Sequence, residues 1–329
     1  MSKETVAPKP FRFAVQSFSA SSAQQWNERA LQVEELGYSA LHLADHIIGP
    51  GPALERTRHP LQELAAVPAM AAAAAATTTL KIGSRVFCID YRHPAVLAKE
   101  AATLDLLSDG RLELGLGAGW LRDEYAAIGM EFDPAPKRID RLIEVVDFLE
   151  AHMSEGQLEF AGEHVVAREY EGVPQPVQKP RPPIMIGGGS PRVLRLAGER
   201  ADIVSFNFNN RSGVIGPDGV ALSTAQETER KVGWVREGAG ERFVDLELEI
   251  GAYFSIVTNA AAATAEGMGS AMGLTREQML EFPHALIGSV DGICEELERR
   301  REIYGISYVT IGDDALEAFA PVVARLAGH

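Results

Sequence analysis

The residues Gly187-Gly188-Gly189-Ser190 form the segment whose types and spacing point most directly to ligand chemistry. A short apolar run, residues 183–186, precedes them. Pro191 follows at a position that suits the first turn of a helix, with Ser190 as a good N-cap. Consecutive glycines let backbone N–H groups approach an anion, and a helix N-terminus adds partial positive charge. The pattern predicts a phosphate cradle at the carboxyl end of a strand. The alternative is a tight strand-to-helix turn without a ligand.

Asp45 and His46 end another predicted strand. A histidine at the end of a buried strand can titrate near neutral pH, which suits the donation or abstraction of a proton. The alternative for His46 is a hydrogen bond to a loop carbonyl with no role in chemistry.

A second glycine-rich strand end is Gly115-Leu116-Gly117-Ala118-Gly119-Trp120. Together with the cradle, these glycines would leave room for a flat ligand with a phosphate tail. Trp120 either stacks against such a ring or its substrate, or fills the space between the strand ends. Four basic residues either supply the positive patch that an anionic tail needs or are ordinary solvated surface; they are Arg85, Arg92, His93 and Arg122.

Strand-like and helix-like segments alternate along almost the whole chain, and this alternation must position those residues. The predicted strands cover residues 11–18, 39–46, 81–88, 111–117, 183–186, 202–208, 246–258 and 306–311. Predicted helices include residues 21–36, 61–77, 94–107, 136–152 and 315–326. Eight βα units favour an α/β fold of the closed (β/α)8 TIM-barrel type over a doubly wound open sheet. We predict a single domain, residues 1–329, with insertions after helix 4 (near 157–182) and after strand 7 (near 259–288).

Composition limits the possible partners. The net charge of −15 argues against nucleic acid and anionic membranes. No apolar run of signal-peptide or membrane-spanning length is present, which predicts a cytoplasmic protein. The cysteines Cys88 and Cys294 match no metal or disulfide framework. His42 shares a strand face with His46 but is interpreted as a filler of the barrel interior, so no metal site is predicted.

Several stretches resemble the bacterial luciferase-like monooxygenase superfamily, and they cover nearly the whole chain. They are LGYSALHLADHI, the long run from LKIGSRVFCIDYRHP to GWLRDEYAAIGMEF, RIDRLIEVVDFL, PVQKPRPPIMIGGGSPRVLRLAGERADIV and YGISYVTIG. The resemblance implies a barrel that binds FMN or the deazaflavin coenzyme F420. The segments PFRFAVQSF, SFNF and FPHALIGSV resemble the F420-dependent oxidoreductases of the superfamily.

The resemblance also implies roles for individual residues. Asp45 and His46 match an aspartate–histidine pair beside the cofactor ring, and Arg85-Val86 matches a bulge that holds a non-proline cis peptide in deazaflavin members. Ala118, Gly119 and Asp123 match positions that line the cofactor tail, and Gly187, Gly188 and Gly189 match the phosphate-binding turn. Trp120 stands where the sugar-phosphate dehydrogenases of the superfamily carry a catalytic glutamate, which puts sugar-phosphate oxidation in doubt.

Three functions follow as hypotheses. The first is hydride transfer between coenzyme F420 and a small organic substrate, with His46 moving a proton, poised by Asp45, and Trp120 beside the reacting groups. The second is an FMN-dependent monooxygenase that uses reduced flavin and oxygen. The third is a flavin-binding relative without turnover. We further predict a homodimer through the second and third helices, and a mobile lid over residues 260–288 whose glycines weaken any continuous helix.

Overall fold

A computed structural model describes residues 8–329 of the chain. No signal peptide is predicted at the N-terminus, and residues 1–7 of that segment lie outside the described range. The strands, in chain order, are β1 (Arg12–Gln16), β2 (Ala40–Leu43), β3 (Lys81–Ser84), β4 (Phe87–Cys88), β5 (Leu112–Gly117), β6 (Gln157–Ala161), β7 (Val166–Glu171), β8 (Ile184–Gly188), β9 (Ile203–Phe206), β10 (Glu247–Ala252), β11 (Phe254–Val257), β12 (Ala285–Gly288) and β13 (Ile306–Gly312).

Helices follow most of the barrel strands. They are α1 (Ala23–Glu35), α2 (Pro52–Thr57), α3 (Ala66–Ala76), α4 (Pro94–Leu107), α5 (Arg122–Ala127), α6 (Ala135–His152), α7 (Pro191–Arg200), α8 (Pro217–Ala221), α9 (Ala225–Ala239), α10 (Ala261–Met272), α11 (Arg276–Leu280), α12 (Val290–Tyr304) and α13 (Leu316–Leu326).

Eight parallel strands close into a barrel in the order β1, β2, β3, β5, β8, β9, β10, β13, with β13 pairing back onto β1. Alternation along each strand explains the closure. Leu41 and Leu43 point outward and pack beneath the helices, whereas Ala14, Ala40 and Tyr308 form a separate cluster inside the barrel. The predicted (β/α)8 fold is confirmed.

Both predicted insertions are present, and they differ in structure. The first insertion contains the antiparallel hairpin β6–β7 over residues 157–171. The strand predicted over residues 246–258 is divided at Tyr253, because the chain leaves the barrel after β10 and β11 pairs with β12 outside it.

The second insertion contains the helix α10, which includes two of the glycines expected to weaken it and ends at the third, Gly273, which adopts a left-handed conformation. Gly269 lies where an added Cβ would come within 2.8 Å of the Leu274 carbonyl oxygen, so its small size allows the following turn to pack closely. Ala265, Met279 and Phe282 bury each other in a small core of their own. Whether this segment moves as a lid stays a prediction.

The helix predicted over residues 61–77 begins later than expected, at Ala66. The preceding residues bind strand ends instead: the Gln62 amide donates to the Ala44 carbonyl, and the Glu63 N–H donates to the Phe18 carbonyl. None of the helices within residues 8–329 combines the length and the apolar character that crossing a membrane would require.

Candidate active site

Strand three bulges inward where β3 ends, and the peptide bond between Arg85 and Val86 is cis, as the resemblance implied. The Gln16 amide donates to the Arg85 carbonyl at 3.1 Å from the neighbouring strand end. The Val86 side chain lies between β5 and β8. An added Cβ would come within 2.6 Å of it at Gly117 and within 3.1 Å at Gly187. The glycines on both strands therefore make room for Val86.

The glycine-rich end of β5 is explained by protein packing rather than by space for a ligand. An added Cβ at Gly115 would collide with the Ser84 carbonyl, and one at Gly119 would collide with the Tyr125 hydroxyl. Gly119 also has a φ of 71°, which favours glycine. The expectation that these glycines leave room for a flat ligand is corrected, since Ser84, Val86 and Tyr125 occupy that space.

Arg85 itself turns its guanidinium into the barrel, where it is buried. Its Nε donates to Glu249 at 2.9 Å, and its other nitrogens donate to the Tyr253 hydroxyl at 3.2 Å and the Asn207 amide oxygen at 3.2 Å. Burial alone would lower the pKa of Arg85, but the Glu249 charge and Tyr253 raise it overall, so the group stays charged. Glu249 neutralises its charge inside the protein. Arg85 therefore does not belong to the positive patch for an anionic tail that was one of the two interpretations of the sequence.

Within residues 8–329 no hydrogen bond joins the Asp45 carboxylate to the His46 ring, contrary to the expectation that Asp45 poises His46. Its carboxylate accepts two hydrogen bonds from Arg92, at 2.6 and 2.9 Å, and one from the Cys88 N–H at 3.0 Å. Asp45 thus ties the end of strand two to β4, and it neutralises Arg92 as well.

Glu124, on α5, takes the role that the sequence assigned to Asp45. Its buried carboxylate accepts from His46 Nδ1 at 2.8 Å, from the Tyr91 hydroxyl at 2.6 Å and from the Ile47 N–H at 2.6 Å. Burial alone would raise the pKa of Glu124, but these hydrogen bonds and the charge of His46 lower it below its usual value. Because an ionised carboxylate only accepts, Nδ1 carries a proton and Nε2 is the nitrogen left for chemistry.

A second histidine lies directly against the first. The ring centroids of His46 and His59 are 3.9 Å apart, and Trp120 contacts both rings with centroids at 5.9 Å. Burial, followed by the charge of His46, lowers the pKa of His59 to about 3. Trp120 therefore packs against the proposed proton-transfer group, at the carboxyl end of the barrel.

The predicted phosphate cradle lies where β8 passes into α7, and its role toward an anion stays a prediction. Helix α7 begins after Ser190, which occupies the N-cap position without a side-chain capping bond. Within residues 8–329, the amides of Gly189, Ser190 and Arg192 donate to no backbone or side-chain acceptor. An added Cβ at Gly189 would lie 2.5 Å from the Asn207 carbonyl oxygen, so this turn needs glycine in any case.

The positive charge near the strand ends comes only in part from the four basic residues that the sequence suggested. His93 caps α4. Arg122 is exposed and, in the described part of the chain, joins no ion pair; it lies over the Phe132 ring at 5.5 Å. The buried Arg138 lies over the same ring at 3.9 Å, and its nitrogens donate only to backbone carbonyls there. Arg122 and Arg138 therefore retain charge for an anionic ligand.

The remaining predicted tail residues lie around these arginines. The Ala118 carbonyl accepts from Arg138 at 3.1 Å, next to Gly119. Asp123 accepts from Arg56 Nε at 2.7 Å, which joins α5 to α2. The role of Asp123 toward a cofactor stays a prediction. Residues 8–329 contain no group of three or more His, Cys, Asp or Glu side chains that could hold a metal ion.

A family model described as luciferase-like monooxygenase matches residues 9–214. The chain belongs to the luciferase-like monooxygenase family. The match ends beyond β9, and β10 and β13 complete the barrel of this family member.

Two relatives illustrate the range of the family. The chain is 32% identical over 191 residues to an F420-dependent glucose-6-phosphate dehydrogenase of Amycolatopsis mediterranei (strain U-32), covering 55% of this chain and 54% of that protein. It is 27% identical over 262 residues to an FMNH(2)-dependent dimethylsulfone monooxygenase of Pseudomonas putida, covering 72% and 70%. This luciferase-like chain thus spans about half the length of the first curated relatives it matches.

Solved structures of other members share the fold. An F420-dependent secondary alcohol dehydrogenase in complex with an F420-acetone adduct superposes with a TM-score of 0.76 and 19% identity, covering 96% of this chain and 99% of that chain. The long-chain alkane monooxygenase LadA gives a TM-score of 0.76 and 15% identity, covering 97% and 92%. At these identities the likeness shows the barrel alone.

Sequence reasoning missed Glu124, Tyr91, His59 and Arg138. The only signal for Glu124 was the acidic pair Asp123-Glu124 at the start of α5, of which one member faces inward. His59 and Arg138 stand in no chemical motif, and only the fold brings them to the strand ends.

Proposed function

We propose that this protein is an oxidoreductase that transfers a hydride between coenzyme F420 and a small organic substrate. The observation that carries the proposal is the Glu124–His46 pair, with the cradle of Gly187–Ser190 at the same end of the barrel. Hydride transfer to or from a carbon that bears oxygen requires a proton to move at the oxygen, and His46 Nε2 is suited to that task. The similarity to F420-dependent dehydrogenases supports the choice of cofactor.

The residues present fit a phosphate-bearing cofactor. The amides of Gly189 and Ser190 would hold a phosphate, because they are donors without acceptors at a helix N-terminus. Arg122 and Arg138 would lower the cost of bringing a polyanionic tail to an acidic protein. Val86, on the strand-three bulge, would contact one face of the ring. A bound deazaflavin supplies the hydride chemistry, and the protein supplies position and proton transfer.

His46 would hold a proton on Nε2 in the reduction direction and accept one in the oxidation direction. Glu124 fixes the orientation of the His46 ring by accepting from Nδ1, and the Tyr91 hydroxyl donates to the same carboxylate and holds it in place. Trp120 packs against His46 and limits the access of water to it.

A second candidate is an FMN-dependent monooxygenase. The similarity to the dimethylsulfone monooxygenase covers 72% of this chain, more than the first F420-dependent relative covers. The same cradle would hold the phosphate of FMN. The two candidates differ in their reaction with oxygen, because flavin monooxygenases consume it and hydride transfer by a deazaflavin does not.

The test is titration of the purified protein with F420 and with FMN, followed by absorbance, together with an oxygen electrode. We expect tight binding of F420 and turnover without oxygen uptake. Stoichiometric oxygen uptake with reduced FMN, and no binding of F420, would replace this proposal with the monooxygenase. The cytoplasmic location stays a prediction.

A further inference from the structure

His59 is a titratable residue at the strand ends that the proposed reaction does not yet use. It follows α2, and its backbone N–H donates to the Thr57 hydroxyl at 3.1 Å. Its Nδ1 lies 2.7 Å from the Pro60 carbonyl oxygen. The ring edge of Phe18, at a centroid distance of 6.2 Å, completes the packing with His46 and Trp120. The orientation of the imidazole is therefore fixed by the protein.

The two hydrogen bonds at Nδ1 determine which atoms the histidines present. A carbonyl oxygen only accepts, so Nδ1 of His59 carries the proton and Nε2 carries a lone pair while the ring is neutral. In His46, Nδ1 is held by Glu124 in the same way. Neither Nε2 atom is buried or has a partner among residues 8–329. Two unsatisfied Nε2 atoms thus lie on adjacent rings beside Trp120.

The surroundings of His59 favour its neutral form. Desolvation and the charge of His46 both lower the pKa of His59 to about 3, and these effects outweigh the Pro60 carbonyl and the charge of Glu124. A neutral His59 keeps its lone pair on Nε2, whereas His46, held at Nδ1 by Glu124, is the ring assigned to proton transfer.

We propose that His46 and His59 form a two-point site for a hydroxy-substituted carbonyl compound, or the corresponding diol. His46 Nε2 exchanges a proton with the reacting oxygen, and His59 Nε2 accepts a hydrogen bond from a neighbouring hydroxyl group. His59 is thus a specificity-determining residue, because it accepts a hydrogen bond from that hydroxyl and makes no hydrogen bond to a substrate that lacks it. This inference rests on the proposed hydride transfer.

The step balances in the reduction direction. The carbonyl carbon receives a hydride, with its two electrons, from the reduced deazaflavin. The carbonyl oxygen receives the proton of His46 Nε2, so that C=O becomes CH–OH. The remaining exchangeable proton of the oxidised deazaflavin passes to water, and His46 is reprotonated from water. The neighbouring hydroxyl keeps its proton throughout and only donates to His59.

The first test needs no cofactor. Histidine side-chain nitrogens in ¹⁵N-labelled protein are followed by NMR from pH 5 to pH 9, with His59→Phe to assign the signals. We expect His59 to remain the neutral Nδ1–H form throughout. Its Nε2 signal should shift when 3-hydroxybutan-2-one is added and stay in place with butan-2-one. Titration of His59 within this range, or equal shifts with both probes, overturns the inference.

The second test uses the enzyme loaded with F420. In wild type we expect KM for 3-hydroxybutan-2-one to lie about 10-fold below KM for butan-2-one, the value of one neutral hydrogen bond. His59→Phe should abolish that difference in KM between the two substrates, and His59→Gln, which retains an acceptor, should restore part of it. If the wild type turns over both substrates with equal KM, the inference about His59 is overturned and the proposed function is not. Absence of F420 binding overturns the proposed function, and the NMR result then decides on the histidine pair separately.

Discussion

Replacing Glu124 with Gln tests whether this carboxylate, rather than Asp45, controls proton transfer at His46. Glutamine keeps the size of the side chain but removes its charge and places an NH2 group where two acceptor oxygens stood. At least one of the three groups that donate to Glu124 then faces another donor. These groups are His46 Nδ1, the Tyr91 hydroxyl and the Ile47 N–H.

The size of the effect follows from the geometry. The 2.8 Å contact sets the charge centres of an imidazolium and the carboxylate about 4 Å apart, which is worth about 4 kcal/mol at an effective dielectric constant of about 20. Since His46 is partly accessible to water, we expect the loss of about half of this stabilisation of the charged ring during proton transfer, about 2 kcal/mol. Turnover in the reduction direction should drop about 10–100-fold.

The assay is kcat with F420, measured beside Glu34→Gln as a matched control. Glu34 also accepts from backbone amides, those of Thr78, Thr79 and Leu80, but it lies at the opposite end of the strands. The control should lose stability without lowering kcat of the folded enzyme. If Glu124→Gln lowers kcat no more than Glu34→Gln does, Glu124 is only a structural residue and the reasoning fails.

Four further predictions concern other parts of the molecule. His46→Asn should lower kcat by about 10²–10⁴-fold, the range for a lost general acid or base, and leave the Kd of the cofactor unchanged; a parallel loss of binding would show a different role. Ser190→Ala should weaken cofactor binding about 2–10-fold without loss of stability, because Ser190 makes no capping bond. The control Ser289→Ala removes the side-chain cap of α12, so it should cost about 1 kcal/mol of stability and leave the cofactor affinity unchanged. Burial lowers the pKa of Lys231 from 10.5 to about 7, so the unfolded chain binds more protons between these values and stability rises with pH. The free energy of unfolding, measured by urea titration from pH 7.5 to pH 9, should therefore increase by up to about 1.4 kcal/mol per pH unit relative to Lys231→Met; parallel curves would contradict this. The dimer predicted through α3 and α4 should dissociate on Leu107→Glu, which charges a side chain that is 66% exposed, and a monomeric mass of the wild type at micromolar concentration would reject it.

The closed (β/α)8 barrel could be predicted from the sequence, because eight successive βα units favour closure. The passage from strand to helix at Gly187–Ser190 could be predicted as well, since it depends on local backbone chemistry, whereas a phosphate bound there stays a prediction.

The side-chain pairs at the strand ends could not be predicted. Asp45 and Glu124 are both acidic residues near His46 in the fold, and only the directions of their side chains decide which one binds the ring. The burial of the Arg85 guanidinium could not be predicted, because its partner Glu249 is 164 residues away in the chain. Contacts at that separation leave no periodic trace in the sequence.

The position of Val86 between Gly117 and Gly187 has a consequence for natural variation among relatives of this chain. The three positions share one volume across three neighbouring strands, so they are free to vary only together. A relative with alanine at position 117 needs a smaller side chain than valine at position 86. A relative with a larger side chain at position 86 needs glycine at both 117 and 187. An aligned set of relatives should therefore show these three columns covarying, although the first and last of them lie about a hundred residues apart.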